Sequence, residues 1–178
     1  GVAVYEVSPA GGATRAAPAP RELAARVGRD PVALVEEFPR VGLFVYRILK
    51  AERGRAPTRG EFMQALEELG RGLHVGARGW EQRLLENRRA LAARLAGGEG
   101  SRADELSSAA SVEGFDRREY DEAYVLAHFF GYLGRDPDPE GFDFWLGVLS
   151  RNGDYRGLSR AFMESDEYKQ RAGRIAGE

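Results

Sequence analysis

Val41, Phe44, Val45 and Ile48 fall at i, i+3, i+4 and i+7, the apolar stripe by which one face of an amphipathic helix meets a core. This helix should end near Gly54. Phe62, Ala65, Leu66 and Leu69 repeat the spacing, and Thr58 with Glu61 forms a capping box at the start of that second helix, which Gly70 and Gly72 end. A third helix is expected over "WEQRLLENRRALAARLA", with Trp80, Leu84, Leu91 and Leu95 on one face. Asn87 shares that face, and an amide there is expected to tie a nearby loop by hydrogen bonds. "GGEGS" at 97–101 reads as a flexible break. Asp116 and Glu119 resemble another capping box, ahead of "YDEAYVLAHFFGYL", which is apolar on nearly every side and therefore reads as the most buried helix.

Before residue 41 the pattern is weaker. "VAVYEV" alternates enough for a short strand or extended arm, and "SPAGGATRAAPAP" at 8–20 has the composition of a linker. Asp30 and Pro31 suit a helix start, with Leu34, Val35 and Phe38 behind them; Pro39 should stop or kink that helix. The expected architecture is all-α, a domain of about six to eight helices with no sheet of three or more strands. It divides into an arm and linker at 1–20, a first helical repeat at 21–100 and a second at 101–178.

The repeat rests on a stretch that occurs twice. Gly54, Arg55, Pro57, Phe62, Leu66 and Leu69 recur 80 residues later as Gly134, Arg135, Pro137, Phe142, Leu146 and Leu149. Thr58 corresponds to Asp138, and both are favoured N-cap residues, so each copy ends one helix at glycine, turns through proline and caps the next. Arg55 and Arg135 follow the helix-ending glycine, where a guanidinium is expected to reach the free carbonyls of the preceding helix.

The second copy, "GYLGRDPDPEGFDFW", also places Asp136, Asp138, Glu140 and Gly141 at positions 1, 3, 5 and 6 of a calcium-type loop. Position 12, which should be a bidentate glutamate, is Gly147, and the first copy has Ala56, Thr58 and Gly60 where the acids stand. The stretch therefore reads as a helix start, with Asp136, Asp138 and Glu140 as weak metal candidates. The two histidines, His74 and His128, have no metal-ligand spacing, and His128 reads as a satisfied core residue. No nucleophile elbow, P-loop or dinucleotide fingerprint is present, so neither an enzyme activity nor a cofactor is expected. Phe129, Phe130, Tyr132, Phe142, Phe144 and Trp145 read first as core, with Tyr132, Phe144 and Trp145 as the possible interaction residues.

Composition narrows partners only modestly. The chain has 178 residues, 43% hydrophobic and 30% charged, enough to bury a core. Its formal charge of −2 gives no field to draw nucleic acid or an anionic membrane, and neither nucleic acid nor membrane insertion is expected. Cysteine is absent, which excludes disulfides and thiolate chemistry and leaves the compartment open.

From Phe129 to Arg171 the sequence resembles the DUF4214 domain, whose pattern is an aromatic helix, L-G-R-x-P-D-x-x-G, an aromatic–Trp helix and a helix pair ending in F-x-x-S-x-E-Y. Leu133, Gly134, Arg135, Pro137, Asp138, Gly141, Trp145, Phe162, Ser165, Glu167 and Tyr168 carry it. The preceding segment is similar to the divergent one of acidobacterial-type members, which extends the resemblance over about 34–173. The first copy departs from the pattern in its "ERGRAP" turn and in lacking the tryptophan. The resemblance implies a helical fold similar to phycobilisome linker domains and a non-catalytic structural or protein-interaction module of a secreted or surface-associated bacterial protein. No signal peptide is visible in this chain. Its partner is expected to be a protein or a surface polysaccharide, the alternative function being carbohydrate-binding or calcium-dependent adhesion.

Overall fold

The computed structural model describes residues 5–7, 13–15, 35, 37–111 and 113–177. Near the N-terminus, β1 (Tyr5–Val7) and β2 (Ala13–Arg15) pair antiparallel with Glu6 opposite Thr14. The second strand lies where the composition suggests only linker. The helix expected from Asp30, Pro31 and Leu34 falls outside the described residues.

Among the described residues eight α-helices have defined bounds: α1 (Leu43–Arg53), α2 (Arg59–Gly70), α3 (Trp80–Ala96), α4 (Ser101–Ala109), α5 (Arg117–His128), α6 (Pro139–Asn152), α7 (Tyr155–Glu164) and α8 (Asp166–Ala176). Two π-helical segments extend them, Phe38–Gly42 running into α1 and Phe129–Leu133 continuing α5. Pro39 lies in the first turn of the first π segment, where its missing N–H breaks no helical bond. The chain is thus all-α over its described core, as the apolar periodicity predicts.

One hydrophobic cluster runs through both halves. Its axis is α5 with the second π segment, buried continuously from Ala123 to Tyr132. Against it lies α1, which is more buried than a stripe implies: Leu43, Phe44, Val45, Tyr46, Ile48 and Leu49 are all inside. The reason is that α2, α3, α4 and α5 surround it. The charges of α1 are therefore spent on neighbours. Arg47 donates to the Ser111 carbonyl and lies 3.3 Å from Glu119, and Lys50 lies 3.8 Å from both Glu119 and Glu122.

That pairing corrects one cap. Asp116 accepts from the N–H groups of Arg118 and Glu119, so it caps α5 as expected. Glu119 does not return the bond, because its carboxylate is held by α1. By contrast, Thr58 and Glu61 form the full reciprocal box. Asn87 behaves as its position predicts, donating to the carbonyls of Leu69 at 2.7 Å and Arg71 at 3.0 Å and so fixing the end of α2 against α3. Helix α4 is not announced by the sequence: Gly100 offers no side-chain cap, and the helix buries only Ala103 and Leu106. Among the described residues no helix is long and apolar enough to cross a membrane.

Candidate functional site

The two glycine–arginine turns adopt the same geometry. Gly54 and Gly134 end their helices in the left-handed region at φ 70° and 69°, and Thr58 and Asp138 are extended N-caps for α2 and α6. Each arginine folds back on its own turn, Arg55 donating to the Ala56 carbonyl at 2.9 Å and Arg135 to the Asp136 carbonyl at 3.0 Å. Pro57 and Pro137 hold the two turns between those groups and the caps. Asp138 Oδ1 accepts the Gly141 N–H at 2.8 Å, and this bond, with the Arg135 guanidinium behind it, holds the Asp138 carboxyl below its usual range.

The expected role of the two arginines needs correction. Neither reaches the carbonyls of the helix before it. Arg135 instead grips Glu167 of α8 at 2.6 and 3.1 Å, with Asp138 at 3.3 Å, and lies over the Phe129 ring. Arg55 grips Glu61 at 2.8 and 3.1 Å, which together with the Thr58 backbone bond holds the Glu61 carboxyl down at about 2. The helix-end carbonyls go to two other arginines. Arg171 donates to Gly131 and Tyr132, both at 2.8 Å, and Arg59 to Phe130 at 3.1 Å. The π segment turns more widely than an α-helix and frees these carbonyls; each distant guanidinium arrives from another helix, which no local spacing reveals.

This revises the expected cost of losing Arg135. Its ion pair with Glu167 is about two-fifths exposed on each side, so Arg135→Ala should destabilise by about 0.5–1 kcal/mol rather than the 1–3 kcal/mol of a buried carbonyl cap. Urea denaturation checks this.

The acidic loop is equally committed. Asp136 Oδ1 accepts the Arg59 backbone N–H at 2.7 Å, so the second turn caps the helix that follows the first turn. Asp138 is engaged as above, and Glu140 is exposed. Among the described residues no three or more His, Asp or Glu side chains are grouped to hold a metal ion.

The aromatic candidates separate. Tyr132 is 1% exposed and belongs to the core, against Tyr168 and Phe162, so it is not an interaction residue. Trp145 is half-buried, with one ring contact to Phe162 at 5.2 Å and one to Phe144 at 5.1 Å. Phe144 is 59% exposed. The remaining apolar residues of α6, namely Phe142, Leu146 and Val148, are partly exposed, and Leu149 alone is buried.

A further polar cluster sits inside the core. His128 Nδ1 is 2.8 Å from the Tyr124 carbonyl and Nε2 is 2.8 Å from Ser159 Oγ. A carbonyl only accepts, so Nδ1 carries the proton and Nε2 accepts from the serine. The pair has the spacing of a nucleophile and its base, yet the imidazole is 0% exposed and burial pushes its pKa down to about 4. The imidazole has no exposed surface of its own, whereas Ser159 is partly exposed. The open groove of about 760 Å³ between α2 and α3 is lined by Arg71, Arg83 and Arg94, of which Arg94 pairs with Glu68 at 2.5 Å and Arg83 with Glu86 at 3.4 Å.

The family model described as Domain of unknown function (DUF4214) matches residues 106–172. This segment is a DUF4214 domain. It runs from the end of α4 into α8, and so includes the second glycine–arginine turn, the His128 cluster and all of α6. The first half lies outside the match, although its turn has the same geometry as the one inside the DUF4214 domain. No curated protein and no solved structure matches the chain.

Proposed function

We propose that the protein is a non-catalytic interaction module, part of an exported or surface-associated bacterial protein, and that the outer face of α6 is where it meets a protein partner. One observation carries this reading: α6 presents Phe144 to the outside with Val148 partly exposed one turn on, whereas α2, which starts from the same kind of turn, has Gln64 and Glu68 at the corresponding positions. The fold is served by polar residues there in the first half. Apolar residues in the second half therefore serve something other than the fold, and a phenylalanine braced on a tryptophan is the anchor type that protein interfaces favour. The neighbouring α7 adds the exposed Met163.

A protein suits this face better than a polysaccharide. Sugar stacking needs an open aromatic plane beside polar groups, and Trp145 is flanked by Phe144 and Phe162 instead. The cysteine-free sequence is compatible with an oxidising exterior. The reading is tested first on stability: Phe144→Ser should change the folding free energy by no more than about 0.5 kcal/mol, as an exposed position with no structural duty does. A loss of about 2 kcal/mol or more in urea denaturation would place Phe144 in the fold and remove the reason for the proposal.

A further inference from the structure

The described apolar attachment of α7 and α8 to the core is concentrated in a few side chains. Among the described side chains, Leu158 and Phe162 are the buried ones of α7, and those described in α8 are partly or fully exposed. Partly buried rings add to this, Tyr155 against Tyr120 and Tyr124 and Tyr168 against Tyr132, and the rest is polar: Tyr155 Oη donates to Asp121 at 2.6 Å, Arg171 donates to Gly131 and Tyr132, Arg135 pairs with Glu167, and Ser159 meets His128 and Tyr124. An element with few buried contacts opens before the rest of a domain does.

His128 lies directly beneath this pair. Its ring partners are Tyr124 on its own helix, Tyr132 on the π segment and Phe162 on α7, with centroids at 4.5, 5.4 and 5.2 Å. No carboxylate is bonded to it. On the face of α5 that carries His128 the nearest acid, Asp121, is two turns away, about 10 Å along the helix, and is engaged by Tyr155 and by Arg117 at 3.4 Å. The charged groups of α1 that face α5, Arg47 and Lys50, are paired with Glu119 and Glu122. On α8, the titratable Tyr168 touches Tyr132 rather than the imidazole. When Nε2 takes a proton, Ser159 can turn its own O–H to the Tyr155 carbonyl at 3.2 Å, so the hydrogen bond survives reversed. The charge does not find an opposite charge. Tyr124 and Tyr132 belong to the continuous helix that carries His128, whereas Ser159 and Phe162 belong to α7, so displacement of α7 uncovers that side of the ring.

We propose that α7 and α8 form a pH-gated lid, which protonation of His128 in mildly acidic surroundings lifts from α5 while α1 to α3 stay folded. The inference stands on the core geometry and is independent of the α6 docking surface. In the closed state burial holds the imidazole near 4, against 6.5 when it is open to water, so the opening equilibrium should rise up to about 300-fold as pH falls across that window. Stability conferred by the neutral imidazole is complete above about 6.5 and gone below about 4. The Glu167 carboxyl, which Arg135 holds below its usual 4.5, acts lower in the range and in both proteins compared below.

The test is amide hydrogen exchange on the whole chain between pH 7 and pH 4, corrected for intrinsic rates, in the wild type and in His128→Gln, which keeps a donor and an acceptor but does not titrate. Expected is an opening of α7 and α8 that increases about tenfold per pH unit below 6.5 in the wild type only, with α1 to α3 unchanged. Equal slopes in the two proteins, or α1 to α3 opening in step with α7, would overturn the proposal. Should His128→Gln not fold, the His128 ring proton followed by NMR in the wild type decides. Titration coincident with α7 opening supports the gate, and titration while α7 stays protected refutes it.

Discussion

Phe162→Ala will destabilise the protein by about 3–5 kcal/mol, the range for removing a fully buried ring from a core that cannot collapse around the gap. Phe162 is 2% exposed and joins four aromatic partners: His128 and Phe129 at 5.2 Å, Tyr132 at 6.4 Å and Trp145 at 5.2 Å. It is therefore the point where α7 is keyed to α5, to the π segment and to α6 together. Much of a small domain's total stability rests on a residue of this kind. Denaturant unfolding followed by Trp145 fluorescence, with Trp80 on α3 as the distant second emitter, measures the loss. A cost under about 1 kcal/mol would mean that α7 is not keyed in this way.

Gly134→Ala comes next, at about 3 kcal/mol. A β-carbon at φ 69° is strained by about 1–2 kcal/mol. It would also lie 2.6 Å from the Arg171 guanidinium carbon, pushing that group from the Gly131 and Tyr132 carbonyls, whose charged hydrogen bonds are worth about 1.5–3 kcal/mol. The first copy supplies the control. Gly54 has φ 70° and open space around its missing side chain, so Gly54→Ala should show the backbone strain alone, about 1–2 kcal/mol. The excess of the Gly134 variant over the Gly54 variant, measured by thermal or urea unfolding, isolates the contribution of Arg171. Equal costs would mean that Arg171 moves aside without loss.

These two sites show what could be read from the sequence and what could not. The turns were legible because their information is local: glycine, arginine, proline and a capping residue in fixed register, repeated without a slip. Asn87 and the burial of His128 were legible from their place on apolar faces. The arginine partners were not, because Arg59 and Arg171 reach the π segment from 71 and 39 or 40 residues away and carry no local signature. Tyr132 and Phe144 both looked like candidate contact residues in one aromatic run, and only the packing of α7 and α8 separates the buried one from the exposed one. The depth of α1 was missed for a related reason, since a stripe records one covered face and four neighbouring helices cover the others. Helix α4 has neither a side-chain cap nor a long stripe, and it is held by its packing on α3 and α1.

The central claim is that the outer face of α6 is kept apolar for a protein partner. It is tested most directly by placing a photo-reactive phenylalanine analogue at position 144 in the cell that makes the protein, with the same group at Gln64, the corresponding exposed position on α2, as the comparison. The account predicts a discrete cross-linked protein species on illumination from position 144 and none from position 64. Cross-linking that is absent at 144, or the same at both positions, would contradict it.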